Sequence, residues 1–313
     1  MSRVLNIAGA QLGPIGKNES RKVVISRMCD LLKQAKNKDC DFVVFPELSL
    51  TTFFPRWFFK NFSEVDKFFE SEMPSNETRP LFDLAQQLGL AFSFGFAELV
   101  KNEKETKRFN SSIIVNSNGQ IELKYRKIHL PGHSEFDPTR SFQHLEKRYF
   151  DIGNLGFPVS RIMNVNMGMC ICNDRRWPEA YRVMGLQDVE LICLGYNTPM
   201  NNPPAPEHDH LTAFHNHLSM QAGAYQNASW VIGVAKAGNE EGVNHLGQSC
   251  IISPSGEIVA MSSSLGDELI TAKCDLDLCK SYKNTWFAFE KHRQPKYYNL
   301  IVERVGAIPP EET

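Results

Sequence analysis

The sequence predicts an α/β protein, on three observations. Short apolar or β-branched runs recur along the whole chain, amphipathic helical patterns lie between them, and two turn signals join neighbouring runs into hairpins. Residues 4–11 form the first strand; their apolar run is broken by Asn6, too short and too interrupted for a secretory signal core. Residues 20–36 carry Val24, Met28, Leu31 and Leu32 at helical spacing. A fully apolar strand follows at 42–45, then a helix at 79–88 built on Leu81, Leu84, Ala85 and Leu88. Strands at 90–98, 109–115 and 121–125 come next. Asn118-Gly119 between the last two is a hairpin turn.

The second half continues the pattern. Residues 167–171 are a strand, and 178–186 a helix with Pro178 in its first turn, where the missing N–H costs nothing. A strand at 191–195 leads to the longest helix, 209–227, whose stripe of Leu211, Phe214, Leu218, Ala222 and Tyr225 should face the core. Strands at 230–234, 249–252, 257–260 and 269–274 follow, with Pro254-Ser255-Gly256 marking a second hairpin, and a late helix covers 275–282. Two stretches lack periodicity, 132–158 and 197–207. Loops of that length inside a compact domain are usually functional.

No repeat or linker interrupts the chain, so residues 1–313 read as one domain. The end, 286–313, is aromatic and basic before it turns acidic, and is expected at a subunit interface. With 42% hydrophobic residues a large core can be buried. Net charge is −2, with no basic excess for nucleic acid and no apolar run near the about 20 residues a bilayer requires. The expected partners are therefore a small molecule and other copies of the chain, in the cytoplasm. The eight cysteines sit mostly in apolar surroundings and contain no C-x-x-C, so they read as reduced thiols.

Three segments carry chemistry. In Met169-Cys170-Ile171-Cys172-Asn173-Asp174-Arg175-Arg176-Trp177-Pro178, a strand leads into Cys172 and a helix starts a few residues on. A thiol there meets cations and free N–H groups, which favour the thiolate, and the Asn173 N–H could face an oxyanion. The alternative is a structural thiol. Cys170 would share a face with Cys172 if the strand continued, so spacing leaves that choice open; the polar run after Cys172 favours it. Glu47 directly follows an apolar strand, a place that raises a carboxyl pKa for acid–base work, or simply exposes a strand end. Lys127 gains interest only beside an oxyanion. Arg175 and Arg176 could bind a carboxylate bidentately, or pair with Asp174 or Glu179.

The histidines at 208, 210, 215 and 217 suggest a metal at first sight. Residues two apart on a helix point about 200° apart, so neither H-x-H pair chelates from one face. Hydrogen bonding or packing on a helix bordering the active site fits better, and no metal or other cofactor is expected.

Together the three segments resemble the nitrilase superfamily, which uses a Glu-Lys-Cys triad. The matching residues are Glu47 in FPEL, Lys127 in KYRKIHLP and Cys172 in CICNDRRWPE. TTFFPRW (51–57), FQHLEKRYF (142–150), GFPV (156–159), GYNTP (195–199), SMQAGAYQN (219–227) and HRQP (292–295) look like the N-carbamoyl-D-amino acid amidohydrolase branch. That resemblance implies a four-layer α-β-β-α sandwich, two mixed sheets flanked by helices, built by pairing two protomers, and a homo-oligomer, dimer or tetramer. It implies metal-free hydrolysis of a ureido group to a D-amino acid, ammonia and carbon dioxide. Glu146 matches a second active-site glutamate. Arg175 and Arg176 match a carboxylate-binding pair, with Asn173, Asn197 and Thr198 nearby, and His129 and His144 match pocket histidines. A β-ureidopropionase or another amidase of the superfamily would keep the triad with a different acyl group. A non-catalytic protein-binding scaffold would have no use for it.

Overall fold

The computed structural model describes residues 3–311. Two six-stranded sheets form the centre. The first contains β1 (Val4–Gln11), β2 (Phe42–Val44), β3 (Ala91–Lys101), β4 (Thr106–Val115) and β5 (Ile121–Arg126). The second contains β6 (Val159–Ile162), β7 (Val165–Ile171), β8 (Leu191–Tyr196) and β9 (Trp230–Ala235). After a separate hairpin of β10 (Ala237–Glu240) and β11 (Val243–Leu246), the chain adds β12 (Cys250–Ile252) and β13 (Ile258–Met261) to the second sheet. It then returns to the first as β14 (Glu268–Asp275). The orders are β14-β1-β2-β3-β4-β5 and β13-β12-β9-β8-β7-β6. Each sheet has parallel strands at its centre and antiparallel pairs at its edges, so both are mixed.

The helices are α1 (Arg21–Asn37), α2 (Phe62–Val65), α3 (Arg79–Leu88), α4 (Glu146–Tyr149), α5 (Pro178–Gly185), α6 (Thr212–Asn227), α7 (Asp277–Lys283), α8 (Phe289–His292) and α9 (Asn299–Glu303). Ser20 caps α1 by accepting from the Val23 N–H, and Gly89 ends α3 at φ 63°, a conformation that suits glycine. Helices α1 and α3 pack with Ala8, Val43, Phe92 and Phe94 on one side of the first sheet. Ile7, Phe42 and Val44 alternate with these residues and face the second sheet. Tyr181, Met184, Met220 and Ala224 of α5 and α6 cover the far side. The four layers are thus complete within one chain; pairing of protomers is not needed to build them.

Helix α6 departs from the expected packing. Its apolar stripe faces outward, with Phe214 58% and Leu218 50% exposed, while Met220, Gly223 and Ala224 are buried. A Cβ on Gly223 would stand 2.4 Å from the Tyr181 ring, and the Met220 sulfur reaches to where a Cβ on Gly233 would be. The helix approaches so closely that only its small-residue face fits. The sequence pattern also missed β6 and the β10–β11 hairpin. The latter is short and polar, with Asn239, Asn244 and His245, and has no apolar alternation to show it. Among the described residues no helix is long and apolar enough to cross a membrane.

Candidate active site

The site lies where Glu47, Lys127 and Cys172 come off β2, β5 and β7. Glycines make the approach of Glu47 possible. A Cβ on Gly95 of β3 would fall 2.8 Å from Glu47 Cα, and one on Gly195 of β8 would fall 2.4 Å from its backbone nitrogen. The turn after β2 is therefore pressed between the two sheets. Glu47 and Lys127 are fully buried, as is Glu146 at the start of α4.

These three groups hold one another. Lys127 Nζ donates to Glu47 Oε1 at 2.7 Å and to Glu146 Oε2 at 2.6 Å. Burial alone would depress the lysine pKa, but the two carboxylates outweigh it and raise it. Burial likewise pushes Glu146 up, and the Lys127 charge with the His144 bond brings it below the usual carboxylate range. An ammonium has three donors. Two are committed here, which leaves one. Asn110 closes the group, with Nδ2 2.7 Å from Glu47 Oε1 and 3.4 Å from Glu146 Oε2. It was missed from the sequence. It sits mid-strand in β4 among other polar residues, Arg108, Ser111 and Ser112, so nothing in the linear sequence marks it.

Cys172 ends the run of β7 and has φ 48°, a left-handed backbone that a residue with a Cβ adopts only under constraint. Asp174 supplies the constraint. Its carboxylate accepts from Ile171 N at 2.9 Å, Tyr125 OH at 2.7 Å, His129 N at 3.0 Å and His129 Nδ1 at 2.8 Å. Asp174 thus serves the turn rather than pairing with an arginine. Arg175 Nη1 donates to the Cys172 carbonyl at 2.6 Å and lies 3.7 Å from Sγ, and Nη2 donates to Thr198 Oγ1 at 2.8 Å. Burial, then the Glu47 charge, raises the Cys172 thiol pKa; Lys127 and Arg175 oppose them. The Asn173 N–H stands in the first turn of a 3-10 segment, Cys172–Arg176, where no intrahelical acceptor exists.

Cys172 opens into a cavity of about 400 Å³. Asn173, Arg175, Arg176, Asn197, Thr198 and His144, all singled out in the sequence, are among the residues that line it. Asn197 also donates its N–H to Glu47 Oε2 at 2.9 Å and its amide to the Glu47 carbonyl at 3.1 Å. His144 bonds Glu146 at 3.0 Å. One expectation changes. His129 does not line the cavity; its ring stacks on Trp177 at 5.1 Å and is tied to Asp174, because the turn needs that partner. Cys170 is fully within the core, where burial raises its thiol well above the usual range. His208 and His215 reach the cavity from the segment before α6 and from α6 itself, while His210 and His217 do not line it. Among the described residues no group of three or more His, Cys, Asp or Glu is placed to hold a metal ion.

A buried thiol in a strained turn, backed by a carboxylate–ammonium–carboxylate group, is the constellation of a thiol-dependent amide hydrolase. Comparison with known proteins gives the family. The carbon-nitrogen hydrolase profile matches residues 6–284. A nitrilase of Pyrococcus abyssi is 30% identical over 272 residues, 86% of this chain and 90% of its own. An N-carbamoylputrescine amidase of Arabidopsis thaliana is 28% identical over 292 residues, 89% of each. The crystal structure of a carbon-nitrogen hydrolase from Helicobacter pylori superposes with a TM-score of 0.82 at 23% identity, over 96% of this chain and 99% of that one. The chain belongs to the carbon-nitrogen hydrolase family, the nitrilase superfamily, and is a hydrolase of C–N bonds.

Proposed function

We propose that the protein hydrolyses N-carbamoyl-D-amino acids to the D-amino acid, ammonia and carbon dioxide. The observation that carries this reading is the charge of the cavity. Three arginines line it, Arg140, Arg175 and Arg176, and among the described residues no carboxylate does. Arg140 is held by Asp137 and Arg175 by Thr198 and a carbonyl, but Arg176 has no hydrogen-bond or ion-pair partner among the described residues. Such a pocket favours an anionic substrate and opposes a cationic one. A carbamoyl polyamine, named for the Arabidopsis relative, would meet like charge. A carbamoyl amino acid would bring the carboxylate that Arg176 lacks.

In this mechanism Glu47 takes the Cys172 proton. The thiolate attacks the carbamoyl carbon, and the remaining Lys127 N–H and the Asn173 N–H receive the oxyanion, donors whose single loss typically costs ~10²–10³ in rate. The C–N bond breaks as the leaving nitrogen takes the proton from Glu47. One water, with Glu47 as base, then cleaves the covalent carbonyl–sulfur bond, which restores the thiol and releases a carbamic acid; this loses carbon dioxide as its proton passes to nitrogen and the second C–N bond breaks. The overall balance is one ureido acid and one water to one amino acid, one ammonia and one carbon dioxide. Asn197 positions Glu47, and Glu146 holds Lys127 between the two carboxylates.

The exposed Phe214–Leu218 face of α6 and the aromatic segment 286–298 supply the apolar surface for a subunit contact. A homo-oligomer, dimer or tetramer, is the expected form by light scattering, and a monomer would overturn that part of the reading. The function is tested by an ammonia assay over N-carbamoyl-D-, L- and β-amino acids and a carbamoyl diamine. Highest kcat/KM for the D-amino acids supports it. Faster turnover of the diamine would refute it and return the choice to other amidases of the superfamily.

A further inference from the structure

Beside the Cys172 cavity lies a second of about 360 Å³, whose lining includes Arg56, Trp57, Glu241 and Asn244. Two residues line both, Phe142 and Asn201. They form the partition between the two spaces, and they are held differently. Asn201 donates its amide to Asp209 Oδ2 at 2.8 Å, and its neighbours are fixed too, Met200 N to the Asn244 carbonyl at 2.8 Å and Asn202 N to Asp209 Oδ1 at 2.6 Å. That side of the wall is backbone and hydrogen bonds. The other side is a phenyl ring. The residues after Phe142 are anchored without it, since Gln143 bonds Asp137 through both its carbonyl oxygen and its amide, and His144 bonds Glu146. The ring is half-buried and is engaged in no aromatic pair among the described residues. It can be removed without releasing the loop that bears it.

We propose that Phe142 sets the size of the group the Cys172 cavity accepts, and that the space behind it is a latent extension of the pocket. For an N-carbamoyl amino acid that group is the side chain, an assignment that rests on the function proposed above; the partition itself does not. The extension has an aromatic wall, Trp57, with the Arg56 guanidinium 5.6 Å from its ring, and a polar end at Asn244. It suits a flat aryl group with a polar tip.

Two measurements test this on the full chain, with Phe142→Ala, Phe142→Trp and wild type. The first is the kcat/KM ratio of N-carbamoyltryptophan to N-carbamoylalanine. The second is the ratio of Cys172 alkylation rates by a bulky N-aryl chloroacetamide and by chloroacetamide, mapped by mass spectrometry. It needs no turnover. Phe142→Ala should raise both ratios by about tenfold or more, the scale a hydrophobic pocket gives for a few methylenes, and Phe142→Trp should lower them. Unchanged alkylation ratios in both variants would overturn the partition. A shifted alkylation ratio without turnover of either carbamoyl substrate upholds the partition and refutes the ureido reading alone.

Discussion

Lys127 Nζ lies 2.6 Å from the Glu146 carboxylate, and neither side chain has any exposed surface. With Glu47 at 2.7 Å the cluster is one cation between two anions, out of contact with water. Removing charges from water costs several kcal/mol per ion, and mutual attraction only compensates when the geometry is good. Lys127 is therefore the residue whose loss leaves the most unbalanced state.

Lys127→Met should destabilise the fold by roughly 3–5 kcal/mol, the usual cost of leaving a buried charge unpaired, and should abolish turnover. Adding Glu146→Gln should restore part of the stability and none of the activity. Urea melts with an ammonia assay read both. Activity surviving in the single variant would make Lys127 structural only.

The two sulfurs at the end of β7 and just beyond it separate next. Cys172→Ala should remove turnover and leave the melting curve nearly unchanged, since the Asp174 clamp holds the turn. Cys170→Ala should keep turnover but lower the melting temperature, because it leaves a small void in the core. The raised Cys172 thiol adds a pH signature. Its alkylation should keep climbing with pH beyond the midpoint of a free cysteine. Turnover lost in Cys170→Ala and kept in Cys172→Ala would exchange their roles.

How far these groups were legible depended on where the signal lay. Glu47 and Cys172 stand next to apolar strands, and a polar residue at such a boundary shows in a linear sequence. Asn110 and Asp174 do not stand out, because their importance is in partners 63 residues away at Glu47 and 49 away at Tyr125. The strands of both sheets except β6 were readable from apolar or β-branched runs. The outward face of α6 was not, since its packing is decided by Gly223 against Tyr181 rather than by hydrophobicity. His129 was expected in the pocket only through the family resemblance; the stack on Trp177 turns it elsewhere.

A second buried cluster gives the protein an acid limit. Glu240 Oε1 accepts from Arg56 at 2.6 Å and Oε2 from Lys236 at 3.1 Å, and His245 Nε2 lies 3.1 Å from Arg56. Burial pushes His245 down to about 3, against the pull of Glu240. The unfolded chain takes that proton below its ordinary 6.5 and the fold does not, so stability falls as pH drops from 6.5 toward 3. Burial would raise Glu240, but Lys236, His245 and Arg56 bring it to about 2. Its stabilisation is present above 4.5 and is lost as pH falls toward 2. His245→Gln should thus flatten the decline of melting temperature between pH 6.5 and 4.5 and leave the steeper fall below. An unchanged slope in the upper range would show that His245 does not control it.

Arg175 and Arg176 are adjacent in sequence and unlike in surroundings. Arg175 is 2% exposed and already spends its guanidinium on the Cys172 carbonyl and Thr198. Arg176 is exposed, lines the cavity and has no ion-pair partner among the described residues. If a substrate carboxylate binds here, Arg176 is the free donor. A charge-assisted hydrogen bond contributes ~1.5–3 kcal/mol, so Arg176→Ala should raise KM for carbamoyl amino acids roughly ten- to a hundredfold. On a neutral carbamoyl alkane, which never had the carboxylate, the same variant should change little. Arg175→Ala should behave otherwise. It releases the carbonyl of a residue held at φ 48°, so it should lower the melting temperature and reduce kcat on both substrates alike. The two profiles are read from two-substrate kinetics with melting curves. Equal losses on both substrates for Arg176→Ala would make it scaffolding too, and would remove the charge argument for a carboxylate-bearing substrate.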